Sequence, residues 1–296
     1  MSKNYSIIQT VIPKESLINV IDKPLKRLCE SIFVIKARGT LIKDEWYQMI
    51  LPAMQPEQEV LQCIVHKDNI NEVSNHIIKK AELEKYGKGS LFVLPCSDAD
   101  VGKSTTTKSK SKQKLNPILK DGHSLINCVV QKDYAEKIAR VVVDEGGPGP
   151  SIMYALGKGI RDRLGIIRLA INPQKELLSA LIDDYDSTSI FESMIDAGNL
   201  HVAGAGFIYM MPVSYGISNI RGIFKPGGSS EAIQQITKAI DELKKSKKWR
   251  QSDKHGDSLH PKRQYLTDLV RVTCLSERGI GEDLVKIALG KGAPGA

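Results

Sequence analysis

Aromatic residues, long apolar runs and paired cysteine motifs are all scarce in this chain. Phe, Trp and Tyr make up 5% of the 296 residues, so any core must be built from aliphatic side chains. No apolar run reaches the roughly 18 residues that a membrane-spanning helix needs, and the first residues lack the features of a secretory signal. The five cysteines contain no CxxC pair, which argues against a disulfide framework or a zinc site. We therefore expect a soluble cytoplasmic protein with reduced thiols and no membrane insertion.

Residue patterns typical of catalysis are also missing. The six histidines share no metal-ligand spacing, and no Ser/His/Asp order or carboxylate pair recurs at predicted strand ends. Gly102–Thr105 resembles the tail of a phosphate-binding P-loop, but Ser97 stands where that motif needs glycine, and a poor helix former follows. Lys103 is therefore interpreted as a loop lysine. We expect neither an enzyme nor a metal site.

The net charge of +8 is concentrated in two stretches of the chain. Residues 103–120 contain six lysines and no acidic residue, and residues 225–263 contain ten basic residues against five acidic ones. Together they carry a net +11, which leaves the rest of the chain slightly acidic. Such composition is typical of solvated linkers. Flexible polyanion-binding segments remain the alternative.

An internal repeat organises the chain. The segment Pro56–Leu61 (PEQEVL) matches 173–178 (PQKELL), and the same offset of 117 aligns the glycine pair of Gly87–Pro95 with that of Gly204–Pro212. Upstream the offset is 118, which a one-residue loop change explains. Near the C-terminus, residues 273–275 and 292–295 repeat 127–129 and 146–149. The sequence thus contains two copies of one unit and the beginning of a third.

Each copy is predicted to follow the order β-α-β-β-α-β. In the second copy, short apolar runs at 125–130, 151–156, 177–182 and 207–213 indicate strands, and helical spacing indicates helices near 134–142 and at 189–197. This order predicts an α+β fold of tandem ferredoxin-like units with antiparallel sheets. The face of each sheet left uncovered by helices needs a further sheet to pack on. The predicted domains are residues 1–102, 121–224 and a partial third repeat (strand, helix) at 265–296, joined by basic linkers at 103–120 and 225–264, the latter partly helical.

The second copy resembles the PII signal-transduction family. The resemblance rests on Gly-Pro-Gly-Pro-Ser-Ile at 147–152, Gly157-Lys-Gly159, Gly204-Ala-Gly206 and Ile220-Arg-Gly222, in this order on the predicted fold. It implies a nucleotide-sensing regulator of nitrogen or carbon metabolism that binds ATP or ADP between units, with 2-oxoglutarate as a frequent co-ligand of the family. The implied partner is a transporter, a metabolic enzyme or a transcription factor. Self-association through the sheets, as a trimer or a pseudo-trimer, is implied as well.

The resemblance also implies the nucleotide-binding residues. Gly204 and Gly206 would line the phosphates, residues 157–159 would form the base of a mobile loop, and Arg221 would reach a site across the interface. Phe207 stands where the family has a phosphate-binding lysine, so we expect weak affinity; the first copy, with its displaced lysine, reads as degenerate. The candidate residues are Gly157, Lys158, Gly159, Gly204, Ala205, Gly206, Arg221, Gly87, Lys88 and Gly89. The alternative function is a non-catalytic structural or oligomerisation module whose basic linkers bind polyanions or nucleic acid.

Overall fold

The described part of the computed structural model consists of short helices and strands. The structure describes residues 4–40, 57–85, 87–102, 106, 113–157, 174–202, 204–219, 236, 239–247, 263, 265–277 and 279–293. The first unit consists of β1 (Tyr5–Pro13), α1 (Leu17–Val20), α2 (Lys23–Leu28), β2 (Cys29–Gly39), β3 (Glu57–His66), α3 (Ile70–Ala81) and β4 (Gly89–Pro95), with 3₁₀ turns at Lys14–Ser16 and Lys67–Asn69. The second consists of β5 (His123–Gln131), α4 (Ala135–Asp144), β6 (Ser151–Leu156), β7 (Gln174–Asp183), α5 (Asp184–Gly198), β8 (Gly206–Val213) and β9 (Tyr215–Asn219), and α6 (Gly281–Gly290) follows.

The prediction of an α+β fold is confirmed. Both units run β-α-β-β-α-β, and the spatial order of their strands is β4-β1-β3-β2 in the first and β8-β5-β7-β6 in the second. All neighbouring strands are antiparallel. This topology is the split βαβ arrangement expected of a ferredoxin-like unit.

The helices cover one face of each sheet. In the first unit, Ile8 and Ile12 of β1 point to the same face and pack with Ile77 of α3 in one aliphatic cluster. In the second, Ile126 and Ile138 occupy the corresponding cluster. Because side chains alternate along a strand, the intervening residues of β1 and β5 point to the opposite face, which no helix of the described residues covers.

The two uncovered faces pack against each other within one chain. β2 pairs with β6 and β4 pairs with β9, so the strands form a single nine-stranded sheet. β8 and β9 lie at its two ends and are joined through Ser214, whose amide donates to the Val93 carbonyl at 2.9 Å. The sheet therefore closes on itself as a cylinder. Apolar residues of both units fill its interior in two clusters, one around Phe92 and Leu125 and the other around Val60 and Met153.

A polar layer lies between the two interior clusters. Gln62 Nε2 donates to Gln9 Oε1 at 2.9 Å across β1 and β3. The equivalent residues of the second unit, Asn127 and Ser179, are cross-strand neighbours and also buried. Their shorter side chains leave Asn127 Nδ2 and Ser179 Oγ without a hydrogen-bond partner in the described residues.

Part of the first basic linker packs on the first unit. The Asn71 and Asn75 side chains of α3 donate to the carbonyls of Gln113 and Lys114. Leu119 is buried in the first helical-face cluster, and Lys120 forms a bridge with Gly216 of β9. Residues 113–120 thus belong structurally to the cylinder rather than to a solvated linker.

The described part of the C-terminal region contains the predicted third-repeat helix. This helix is α6, whereas residues 265–277 carry no strand assignment. Leu269, Val270 and Val272 of that stretch are each at least 71% exposed. In the second linker, residues 239–244 are helical.

Candidate functional site

The glycine pairs predicted to contact phosphates have the same backbone role in both units. Gly87 and Gly204 adopt φ of +82° and +94°, where glycine is favoured. A Cβ atom on Gly89 would lie 2.0 Å from the Val11 carbonyl oxygen, and one on Gly206 would lie 2.2 Å from the equivalent oxygen of Val129. The close approach of the fourth strand to the first therefore requires glycine, whether or not a nucleotide binds.

Several polar groups of these turns are engaged within the protein. The amide of Lys88 donates to Lys85, and the amide of the equivalent Ala205 donates to Val202, which closes the two turns. Lys88 Nζ lies 3.4 Å from a Glu82 carboxylate oxygen, and both side chains are about two-fifths exposed. The Lys88 ammonium is thus held at the first glycine turn by a surface ion pair that costs little to break.

The second unit places a strand directly beside the glycine turn of the first. β9 runs antiparallel to β4, with Asn219 in register with Gly89. Arg221 follows two residues later and lies, like Lys158 and Gly159, outside the described residues. β9 therefore ends at Asn219, next to Gly89 of the other unit.

The two glycine turns lie at opposite ends of the cylinder. Within each unit the glycine turn lies at the same end of the sheet as the C-terminal end of the second strand. Because β2 pairs antiparallel with β6, Gly39 is opposite Ser151, and the two turns lie at opposite ends. The second turn, Gly204–Gly206, shares its end with Gly157, where a Cβ would meet the Lys175 side chain at 2.9 Å. The structure hence brings Gly87, Lys88 and Gly89 together with β9, and it does not bring them together with Gly204–Gly206.

A buried charge cluster joins the two units, and sequence reasoning did not identify it. Arg38 of β2 reaches across the junction, where Nη2 donates to Glu176 Oε1 at 3.0 Å and Nε donates to the Tyr154 hydroxyl at 3.0 Å. Nη1 donates to Glu136 of α4. The Arg38 and Glu176 side chains are 10% and 2% exposed. Burial alone would lower the pKa of Arg38, but its bonds to Glu136 and Glu176 leave the pKa raised.

Glu176 has a second function at the same place. Its Oε2 accepts from the amides of Asp133 and Ala135, at 3.0 and 3.1 Å, at the start of α4. A carboxylate at a helix N-terminus satisfies free amides and complements the helix dipole. Thr40, next to Gly39 on β2, adds a bond across the junction from its hydroxyl to the Pro150 carbonyl at 2.7 Å.

The first unit contains the same carboxylate without the arginine. Glu59 aligns with Glu176 in the repeat, and it is buried, yet its Oε2 has no hydrogen-bond partner among the described residues. Leu156 occupies the position equivalent to Arg38 and is 71% exposed. A glutamate stands at the same position of the third strand in both units, followed by apolar residues. This recurrence was a sequence signal for a buried carboxylate, although it did not indicate the arginine.

The turn at 146–150 serves to end a helix. Gly146, at φ of +83°, donates to the Val143 carbonyl, and the Gly147 amide donates to Val142, both at 2.8 Å. This bonding is a Schellman-type helix end. These two amides are therefore used within the fold as a helix end.

Within the described residues, no group of three or more His, Cys, Asp or Glu side chains is arranged to hold a metal ion. No helix in that part of the chain combines the length and apolar character needed to cross a bilayer.

The comparisons with known proteins yield weak structural likeness. No protein-family model matches the chain, and no curated protein matches it significantly. Among solved structures, Arabidopsis thaliana PII bound to citrate is similar at 14% identity and a TM-score of 0.25, covering 32% of this chain and 79% of that one. A microcompartment protein from Desulfitobacterium hafniense is similar at 12% identity and a TM-score of 0.24, over 71% of this chain and 95% of that one. A monooxygenase-like protein from Lactobacillus acidophilus (10%, TM-score 0.20) covers 74% and 97%.

Proposed function

We propose that this protein is a PII-like regulator without catalytic turnover. It binds ATP or ADP at the junction of its two units and thereby changes its contact with a protein partner in nitrogen or carbon metabolism. The observation that carries the proposal is the pairing of β9 with β4, which sets the segment leading to Arg221 beside Gly87–Gly89. A site shared between units is what the sequence resemblance implies.

The two glycine turns have different surroundings, which favour nucleotide binding at one of them. At the end of Gly87–Gly89, Lys88 and the segment before Arg221 converge from different units. At the end of Gly204–Gly206, Phe207 replaces a cation and is 58% exposed. We therefore assign the nucleotide to the first glycine turn. This differs from the sequence-based expectation that the first copy is the degenerate one.

Calorimetric titration with ATP, ADP, AMP and cyclic nucleotides, with and without 2-oxoglutarate, tests the proposal. Lys88→Ala and Arg221→Ala should each weaken binding by roughly tenfold or more, since a lost charge-assisted contact costs about 1.5–3 kcal/mol. Lys103→Ala is the matched control and should leave affinity unchanged. Absence of binding at millimolar nucleotide would refute the sensor. Salt-resistant or sequence-specific nucleic-acid binding would favour the polyanion-binding alternative, because binding by flexible lysines alone is steeply salt-dependent.

The pairing of β2 with β6 also supports self-association, which is part of the same proposal. β2 and β6 pair only over half of the possible length, between Ala37–Gly39 and Ser151–Met153. In the same register, residues 33–35 would lie opposite 155–157, but these residues do not pair with each other. Val34, Tyr154 and Leu156 at this open half are 42%, 61% and 71% exposed. We propose that another ferredoxin-like unit, from a further copy of the chain, covers this surface.

Light-scattering mass measurements test that association. Leu156→Lys should lower the mass of the assembly, because a charge would replace an apolar contact. Ile18→Lys, an equally exposed apolar position on α1, is the control and should leave the mass unchanged. A chain that is monomeric before any substitution contradicts the association without affecting the nucleotide proposal.

A further inference from the structure

Two cysteines of the first unit lie side by side on neighbouring strands. Cys29 begins β2 and Cys63 lies in β3, and both belong to the aliphatic cluster under the helices. Cys29 lies close enough to Cys63 to raise the pKa of the Cys63 thiol. Cys63 is fully buried and Cys29 is 5% exposed.

A β-bulge is what brings the two thiols to the same face. Ile32 is in register with Cys63 and Ser31 with Ile64, but Cys29 is in register with Val65, so Glu30 is an extra residue. In a regular strand, Cys29 would share the face of Ser31, opposite to that of Ile32 and Cys63. Bulges commonly re-aim a side chain in this way. The second unit has no such pair, because the equivalent positions are Gly147 and Ala180.

One of the thiols is reachable from solvent. A surface cavity of about 310 Å³ is lined by Cys29 together with Lys26 of α2 and Glu30 of the bulge. Cys63 does not line it. A small oxidant that enters the cavity therefore meets Cys29 before Cys63.

We propose that Cys29 and Cys63 form a peroxide-sensitive thiol pair that closes to a reversible intrachain disulfide. The Cys29 thiolate attacks one oxygen of hydrogen peroxide, the O–O bond breaks, and Cys29 becomes a sulfenic acid while hydroxide takes up a proton to leave as water. The Cys63 sulfur then attacks the Cys29 sulfur, the S–O bond breaks, and a second water leaves with the Cys63 proton. Two thiols are oxidised and one peroxide is reduced to two waters.

The protonation preference of the pair agrees with these roles. The hydrogen bond with Cys29, together with burial, raises the pKa of Cys63 well above its usual range. Cys63 therefore holds its proton more firmly than an ordinary thiol and is not the first to react with peroxide, because the thiolate is the reactive form of cysteine. The assignment does not depend on the proposed nucleotide site.

Oxidation of the folded full-length chain with stoichiometric hydrogen peroxide tests the pair. The Cys96→Ser/Cys274→Ser background removes the two more exposed thiols. In that background the intact mass should fall by two hydrogens, and peptide mapping under non-reducing conditions should give a Cys29–Cys63 cross-link that dithiothreitol reverses.

Single substitutions separate the roles of the two thiols. Cys29→Ala should abolish the cross-link, whereas Cys63→Ala, which installs the residue of the other unit, should leave a sulfenic acid on Cys29 that dimedone traps. Cys128→Ala should change nothing, because burial raises the pKa of that thiol to about 12 and it lies in the other unit. The proposal is overturned if the link forms in urea but not in the folded protein, or if Cys128 is consumed as fast as Cys29.

Discussion

Replacing Arg38 by leucine tests how the two units are held together. The substitution installs the residue type of the equivalent position, Leu156, and leaves the Glu176 carboxylate 2% exposed without its cation. Removing one partner of a buried ion pair typically costs about 3–5 kcal/mol, because the remaining charge stays desolvated. In a protein of this size such a loss lowers the melting temperature by roughly 6–20 °C. Urea and thermal unfolding followed by circular dichroism measure it.

A double-mutant cycle shows whether the effect arises from the uncompensated charge. Glu176→Gln retains an oxygen to accept from the Asp133 and Ala135 amides but removes the charge that Arg38 compensates. In the Glu176→Gln background, Arg38→Leu should therefore cost about 1–3 kcal/mol less than in the parent protein. Lys14→Ala, which breaks an exposed ion pair with Glu57, is the control and should change stability little.

A small stability loss on Arg38→Leu would refute the buried ion pair. An exposed ion pair contributes about 0–1 kcal/mol. If Arg38→Leu costs no more than this, then either the side chain is solvated or the junction between β2 and β6 does not persist in solution. Arg38→Lys distinguishes these cases, since it keeps the charge but cannot reproduce the three-way guanidinium contacts. An intermediate loss for Arg38→Lys is expected.

Two further predictions concern backbone fit and pH. Gly89→Ala should prevent stable folding of the first unit, since its Cβ would overlap the Val11 carbonyl. Gly281→Ala is the control and should be tolerated, because the space around Gly281 is open. Equal melting temperatures of the two variants would contradict this prediction. Burial raises the pKa of Asp22, but the Leu25 amide and nearby basic side chains outweigh it, so the pKa lies below its ordinary value of 3.8. Asp22 thus stabilises the fold above about that value and the gain disappears as pH falls through the lowered pKa. The stability difference between the parent and Asp22→Asn should accordingly shrink on acidification to pH 3, and a difference that grows would contradict it.

The sequence predicted the local elements of each unit because they depend on short-range patterns. The strand predicted at 151–156 is β6 to the residue, whereas the helix predicted at 189–197 is longer than expected, since α5 begins at Asp184 and includes Gly198. Alternating apolar residues and glycine breaks encode such elements within a few positions. The uncovered sheet faces were also predicted, and they pack together within the chain.

The parts that sequence analysis missed all depend on contacts distant along the chain. β9 has little strand signal of its own and is ordered by pairing with β4, more than 120 residues earlier. Arg38 meets Glu176 at a separation of 138 residues. The bulge at Glu30 is visible only in the pairing of β2 with β3, and no residue pattern in Cys29–Ser31 marks it. Of the candidate site, the glycines could be located from sequence, but the neighbour that completes the site could not.

The asymmetry between the two units follows from differences at equivalent positions. In the register of β2 with β6, Lys36 would lie opposite Tyr154, and these two residues are equivalent in the repeat. The register is therefore symmetric about them, and the backbones on either side could form the same pairs. The half that closes is the one in which an arginine reaches a buried glutamate of the other unit. In the open half, leucine stands in place of arginine, and Glu59 Oε2 has no hydrogen-bond partner among the described residues. Duplication alone therefore does not yield two equal interfaces. At the other seam, β9 of the second unit pairs with β4 and places Asn219 in register with Gly89, whereas Gly206 at the second turn pairs with β5 of its own unit.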